Sequence, residues 1–151
     1  MIPSRILNLT AILNLAALLW GGLALADPLY VEETKARIRS GPGTEYNILW
    51  EAPRYTPLES LAKYKDWYVV RDFQKDVGWV HEESVRKGKA AIVVQDKANI
   101  RKSPDLKSPI VFVVEKHYLF RVIETKGGWL KIKDTDGEEG WIHEKLVWAS
   151  L

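Results

Sequence analysis

The sequence predicts an all-β protein that contains two copies of one small unit, and two observations support this prediction. Residues 36–42 (ARIRSGP) resemble residues 98–104 (ANIRKSP), with an offset of 62 positions. The same offset, applied without a gap to 29–85 and 91–147, gives 14 identities in 57 positions. Neither copy shows helical periodicity, and both contain short alternating apolar runs. Because self-similarity at a fixed period marks a repeated structural unit, the chain is expected to contain two equivalent domains.

Local patterns in the second copy predict a β-hairpin. Residues 129–133 (WLKIK) alternate apolar and charged side chains, which is typical of a half-buried strand. The next segment, 134–140 (DTDGEEG), contains Asp-Gly, a strong signal for a tight hairpin turn. Residues 141–143 (WIH) begin the returning strand. Proline at positions 42 and 104 excludes a central strand position there.

The alternation also predicts which side chains face the core. If Leu130 and Ile132 face inward, Trp129 lies on the outer face of the same strand. In the first copy the same parity places Val70 inside and Trp67 outside. A tryptophan on an outer face is more informative about binding than an apolar residue in the core.

The N-terminus is typical of a secretory signal peptide. Arg5 is the first charged residue, residues 6–25 are almost continuously apolar, and Ala24-Leu25-Ala26 provides small residues at a cleavage site. We expect cleavage before Asp27, a periplasmic or extracellular protein, and membrane contact only during export. The alternative is an uncleaved anchor, because about 20 apolar residues can span a bilayer as a helix.

Composition excludes several functions. The formal net charge is +2, with 22 basic and 20 acidic residues, and it forms no basic stripe of the kind that binds nucleic acid. Cysteine is absent, so disulfides and thiolate nucleophiles are excluded. His81-Glu82 and His143-Glu144 provide too few ligands for a closed metal site. No nucleophile with a plausible triad is evident, so we expect no enzyme activity, no metal and no cofactor.

The ordered motifs Ala-x-Ile-Arg-x-Gly/Ser-Pro and Gly-Trp-Val/Ile-His occur in both copies and resemble the bacterial SH3 (SH3b) domain. The resemblance implies two tandem SH3-like β-barrels of about five strands each, at 27–86 and 87–151, after a signal peptide at 1–26. It implies a non-catalytic module that binds peptidoglycan or another component of the cell envelope. The alternative is a periplasmic adaptor that binds an envelope protein and does not contact the wall.

Eukaryotic SH3 domains carry a ligand-binding tryptophan at the position of Trp67 and Trp129. In the segment that follows in those domains, a proline occupies the position of His81 and His143. This difference argues against recognition of proline-rich peptides.

The first copy is the better candidate for a ligand groove because it has more aromatic residues. It has Tyr46, Trp50, Tyr55 and Tyr64 where the second copy has Ser108, Phe112, His117 and Lys126. Tyrosine and tryptophan are enriched at binding hot spots. We therefore expect Tyr46, Tyr55 and Trp67 to form the walls of a groove, and Trp129 to contribute in the second copy. The alternative is that the two tryptophans pack on the other barrel or under a loop.

Overall fold

The computed structural model describes residues 26–151. This part of the chain contains fourteen β-strands and two short 3₁₀ turns. None of its helical segments is long and apolar enough to cross a membrane. The predicted signal peptide lies outside the described residues except for its last position, so its cleavage before Asp27 stays a prediction.

The strands form two equivalent sets, which we call repeat 1 and repeat 2. Repeat 1 contains β1 Asp27–Val31, β2 Lys35–Arg39, β3 Ile48–Pro53, β4 Pro57–Tyr64, β5 Trp67–Arg71, β6 Val77–His81 and β7 Val85–Lys87. Repeat 2 contains β8 Ala90–Val93, β9 Lys97–Arg101, β10 Ile110–Glu115, β11 Leu119–Lys126, β12 Trp129–Lys133, β13 Glu139–His143 and β14 Val147–Ser150. The 3₁₀ turns are Glu82–Ser84 and Glu144–Leu146. From β2 to β6 every strand boundary recurs 62 residues later, which confirms the predicted offset.

Each repeat is one antiparallel sheet of seven strands. The order is β3-β2-β6-β5-β4-β1-β7 in repeat 1 and β10-β9-β13-β12-β11-β8-β14 in repeat 2. The prediction of a closed barrel of about five strands is therefore wrong. The sheet is open, because β3 and β7 are the two ends of the strand order and do not pair with each other. The short first and last strands of each repeat lack a clear alternating pattern, so the sequence did not reveal them. A register shift in the pairing of β3 with β2, and of β10 with β9, gives these edge strands a bulge, which discourages further pairing.

The curved sheet of each repeat encloses its own hydrophobic core. Val70, Leu130 and Ile132 are all buried, so the predicted inward faces of β5 and β12 are confirmed. The core of repeat 1 comprises Leu29, Val31, Ala36, Ile38, Ala52, Leu58, Val70, Val80 and Val85. The core of repeat 2 includes one aromatic residue, Phe120, at the position of Leu58 in repeat 1.

Glycine is required where β6 crosses β2. A Cβ atom on Gly78 would lie 2.5 Å from Ile38 Cγ2 and 3.2 Å from the Arg39 carbonyl oxygen. Gly140 meets the equivalent isoleucine, Ile100, and the equivalent backbone oxygen in repeat 2. Backbone this close to a buried side chain leaves no room for a larger residue. The glycine of the Gly-Trp motif is therefore a packing requirement of the fold.

Replacing Gly140 with alanine should destabilise the protein by about 1–3 kcal/mol, because the added methyl group overpacks a buried crossing. Equilibrium urea unfolding measures the loss. The control is Gly43→Ala, where the three atoms nearest to the added Cβ all belong to the flexible carboxyl group of Glu45. If both variants unfold at the same urea concentration, the close approach is not a constraint on the fold.

A buried carboxylate organises the turn between β12 and β13. Asp134 Oδ1 accepts hydrogen bonds from the backbone N–H groups of Asp136 (2.9 Å) and Glu138 (2.8 Å). Its Oδ2 accepts from the Tyr118 hydroxyl at 3.2 Å. Asp72 makes the two equivalent backbone contacts in repeat 1. These aspartates recur at the offset of 62 because both hairpins need the same internal acceptor.

Burial, and then the Asp134 carboxylate, raise the pKa of Tyr118 above its usual value of 10.0. The folded protein therefore holds this proton more tightly than the unfolded chain. The resulting stability is present below pH 10 and is lost as pH rises through the raised pKa. Urea unfolding across that range should show a smaller loss in Tyr118→Phe than in wild type. Identical losses in the two proteins would contradict this. Burial also raises the pKa of Tyr30, so this residue adds a loss of stability of the same sign in wild type and in the variant.

The two repeats pack directly against each other. Ser150 Oγ accepts from Ala90 N and donates to the Leu29 carbonyl, both at 3.4 Å, and so joins the last strand to the first. The Arg121 guanidinium lies 5.5 Å from the centre of the Tyr30 ring. Only two residues separate β7 from β8, so the connection is short.

Candidate functional site

Each repeat carries a groove beside the outer face of its second strand. Groove 1 has a volume of about 520 Å³ and is lined by Glu33, Lys35, Arg37, Arg39, Thr44, Glu51, Trp67, His81 and Ser84. Groove 2 has a volume of about 320 Å³ and is lined by Lys97, Ala98, Asn99, Arg101, Leu106, Trp129, His143 and Leu146. Seven lining positions are equivalent under the offset of 62. The two grooves are therefore copies of one site that now differ in chemistry.

A tryptophan and a histidine form the same pair in both grooves. Trp67 lies opposite His81 in the β5–β6 ladder, and their ring centres are 5.1 Å apart at an interplanar angle of 84°. Trp129 and His143 repeat this edge-to-face arrangement at 5.1 Å and 76°. An edge-to-face pair of aromatic rings stabilises the fold by more than the burial of its apolar surface alone. The cross-strand register therefore holds each indole in one orientation at the groove.

Each groove histidine also caps the 3₁₀ turn that follows it. His81 Nδ1 accepts from the Glu83 backbone N–H at 3.3 Å, and His143 Nδ1 accepts from that of Lys145 at 3.2 Å. Because Nδ1 is an acceptor, the neutral ring carries its proton on Nε2 and can donate it. Nδ1 is consequently not available as a metal ligand. No cluster of three or more metal-binding side chains occurs among residues 26–151.

The arginine of the Ile-Arg motif holds the loop beside the groove. Arg39 Nη1 donates to the carbonyl oxygens of Thr44 (3.1 Å) and Tyr46 (2.8 Å). Arg101 Nη1 makes one equivalent bond, to the Ser108 carbonyl at 2.8 Å. These bonds fix the loop between β2 and β3, so that Thr44 becomes part of the wall of groove 1.

Groove 1 is ionic. Lys35 Nζ lies 2.9 Å from Glu51 Oε2, and Arg37 Nε lies 3.9 Å from Glu51 Oε1. All three side chains are well exposed to solvent, so these ion pairs contribute little to stability and can open when a charged ligand arrives. Sequence reasoning missed this set. The signal was the basic residues at alternate positions of the strand 35–39, which places their side chains on one face.

The structure does not bring the predicted groove residues together. Trp67 is half-buried in groove 1, and Tyr46 is exposed on the loop that borders it. Tyr55 lies elsewhere, at the turn between β3 and β4, with its ring 6.0 Å from that of Tyr30. A single groove with Tyr46, Tyr55 and Trp67 as its walls is therefore not formed. The sequence predicted that repeat 1 has more aromatic residues than repeat 2, but it did not reveal which loops lie close together.

Trp129 lies in groove 2 but is only 8% exposed. Two lining residues of groove 2 differ from their equivalents beside Trp67. Leu146 replaces Ser84 and packs against the core of repeat 2, while Leu106 replaces Thr44. Trp129 is thus buried and Trp67 is partly exposed, while packing on the other barrel or under a loop stays a prediction.

The two tryptophans should differ in their contribution to stability. Trp129→Ala should lower the free energy of unfolding by about 3 kcal/mol or more, as expected for a buried tryptophan. Trp67→Ala should cost about 1 kcal/mol, because its side chain remains partly in water. Urea unfolding of both variants provides the comparison. Equal losses would show that the two grooves cover their tryptophans to the same extent.

The fold and the paired grooves define the class of protein, a tandem repeat of a small antiparallel β domain. The chain belongs to the bacterial SH3 domain family, whose sequence profile matches residues 32–87 and 94–149. The sequence-based resemblance is thereby confirmed, and the family covers both repeats.

Named relatives share this region. The chain is 22% identical over 143 residues to the putative N-acetylmuramoyl-L-alanine amidase YrvJ of Bacillus subtilis, an alignment that covers 83% of the chain and 27% of YrvJ. It is 31% identical over 52 residues to the probable cell wall amidase LytH of Staphylococcus epidermidis, covering 34% of the chain and 18% of LytH. The chain thus spans less than a third of the length of either relative.

Two solved structures are similar over most of the chain. NlpC2 from Trichomonas vaginalis has a TM-score of 0.38 and 13% identity, with coverage of 82% of this chain and 48% of that one. An NlpC/P60 family protein from Bacillus cereus has a TM-score of 0.38 and 10% identity, with coverage of 81% and 56%.

Proposed function

We propose that this chain is an exported, non-catalytic module that binds peptidoglycan, or another polymer of the cell envelope, in the periplasm or outside the cell. Two similar proteins are named as amidases, one of them a cell wall amidase. The alignment with YrvJ covers 83% of the chain, so it extends into both repeats. This similarity supports an association with the cell wall.

The observation that carries the proposal is the composition of groove 1. Trp67 offers a flat apolar surface, and His81 offers an Nε2–H donor beside it. Lys35, Arg37 and Glu51 add charges of both signs. Peptidoglycan carries sugar rings, peptide amides, carboxylates and amines, which match these groups. Partly exposed aromatic residues in such a setting are typical of binding hot spots.

The same groove argues against catalysis. Groove 1 brings His81 near Ser84, which invites comparison with a serine hydrolase. In such enzymes the histidine Nδ1 donates to a carboxylate, and this bond orients the ring as a general base. In this protein Nδ1 accepts the Glu83 backbone N–H instead. Glu83 Oε2 lies 3.9 Å from Nδ1, beyond hydrogen-bond distance, so this carboxylate does not orient His81 as a general base for Ser84.

Binding to purified cell-wall sacculi tests the proposal. Trp67→Ala should weaken retention by about 2 kcal/mol, as expected at a hot spot. Tyr55→Ala is the matched control, because this aromatic residue belongs to the same repeat but lies outside groove 1. It should bind like wild type. Thermal melts identify any variant that binds poorly because it is unfolded.

Two results would contradict the proposal. If wild type is not retained by sacculi and is recovered with an envelope protein, the chain is the adaptor that the sequence offers as the alternative. If Tyr55→Ala weakens retention and Trp67→Ala does not, the binding surface lies at the β3–β4 turn.

A further inference from the structure

Groove 2 has lost the acidic residues that line groove 1. The positions of Glu33 and Glu51 are occupied in repeat 2 by Gln95 and Val113. No acidic side chain lines groove 2, whereas Lys97 and Arg101 both do. Lys97 and Arg101 are thus the charged side chains of the lining, and an anion entering groove 2 would meet no carboxylate there.

Lys97 and Arg101, the two cationic side chains of groove 2, can still bind a ligand. Arg101 donates one hydrogen bond, to the Ser108 carbonyl, whereas Arg39 donates two. Lys97 lies opposite Glu115 in the β9–β10 ladder. In the described part of the chain these two side chains form no ion pair within 4.0 Å, unlike Lys35, which is held by Glu51. The Lys97 ammonium group can therefore form an ion pair with an anionic ligand.

Apolar side chains form the rest of this groove. Leu146 and Trp129 lie against the body of repeat 2, and Leu106 is 70% exposed on the bordering loop. Covering an exposed leucine with an apolar group is favourable because it removes apolar surface from water. Groove 2 thus combines an apolar wall with a lysine, where groove 1 has threonine, serine and paired charges.

We propose that groove 2 is a second ligand site, which takes an apolar group that carries a carboxylate. The carboxylate binds Lys97, with Arg101 beside it, and the apolar group covers Leu106 and Leu146. The proposal goes beyond the proposed function, because it concerns a separate groove and a different ligand chemistry. The tandem repeat then offers two sites that recognise different chemical groups.

A pair of small probes tests this chemistry directly. N-acetyl-leucine carries the carboxylate, and N-acetyl-leucinamide is its neutral counterpart with the same side chain. In a ¹H–¹⁵N NMR titration of the purified protein, the acid should shift the indole N–H resonance of Trp129. It should also bind about five-fold more tightly than the amide, which is the upper range for an exposed ion pair.

Matched variants identify the residues that produce the preference for the acid. Lys97→Gln should abolish the preference for the acid, whereas Lys35→Gln, its equivalent in groove 1, should leave the preference intact. Leu146→Ser, which introduces the residue of groove 1, should weaken both probes. The proposal is overturned if the acid and amide bind equally, if neither binds, if the preference survives Lys97→Gln, or if the shifts fall on Trp67. Retention on sacculi is measured separately, so failure of one proposal leaves the other standing.

Discussion

The close crossing of β6 over β2, and of β13 over β9, is the constraint on which each repeat depends. Only one residue pair forms the ladder there, Arg39 with Trp79 in repeat 1 and Arg101 with Trp141 in repeat 2. The crossing is possible because glycine precedes each tryptophan and lets the backbone approach a buried isoleucine. Through it the β2–β3 hairpin joins the rest of the sheet around a common core. Without it, these two strands would have no partner outside their own hairpin.

The same crossing also builds the groove. Because β6 lies on β2, its last residue, His81, comes close to the outward side chains of β2, and β5 brings Trp67 beside it. The arginine at the crossing then holds the adjoining loop through its carbonyl oxygens. Fold and site therefore share one set of contacts. This explains why both grooves keep a lysine, an arginine, a tryptophan and a histidine, while the residues around them differ.

Sequence reasoning succeeded where the determining contacts are local. The strand boundaries recur at the offset of 62, and Leu130 and Ile132 face inward as the local alternation in 129–133 predicts. It failed for Tyr55, because the position of the β3–β4 turn relative to Trp67 depends on how the whole sheet curves. It did not decide whether Trp129 is exposed or covered. Leu106 and Leu146 line the groove of Trp129, but they are separated from it by 23 and 17 positions in the chain. The extra strands were missed because they are short and pair with distant partners.

The proposed function requires a wall component to bind at the β2–β6 crossing of repeat 1, beside Trp67 and His81. Chemical-shift mapping with soluble peptidoglycan fragments on ¹⁵N-labelled protein tests it most directly. We expect the largest shifts on the Trp67 indole N–H and on the backbone of Lys35–Arg39 and Glu82–Ser84. Shifts confined to the β3–β4 turn around Tyr55, or to the contact between the two repeats, would contradict it.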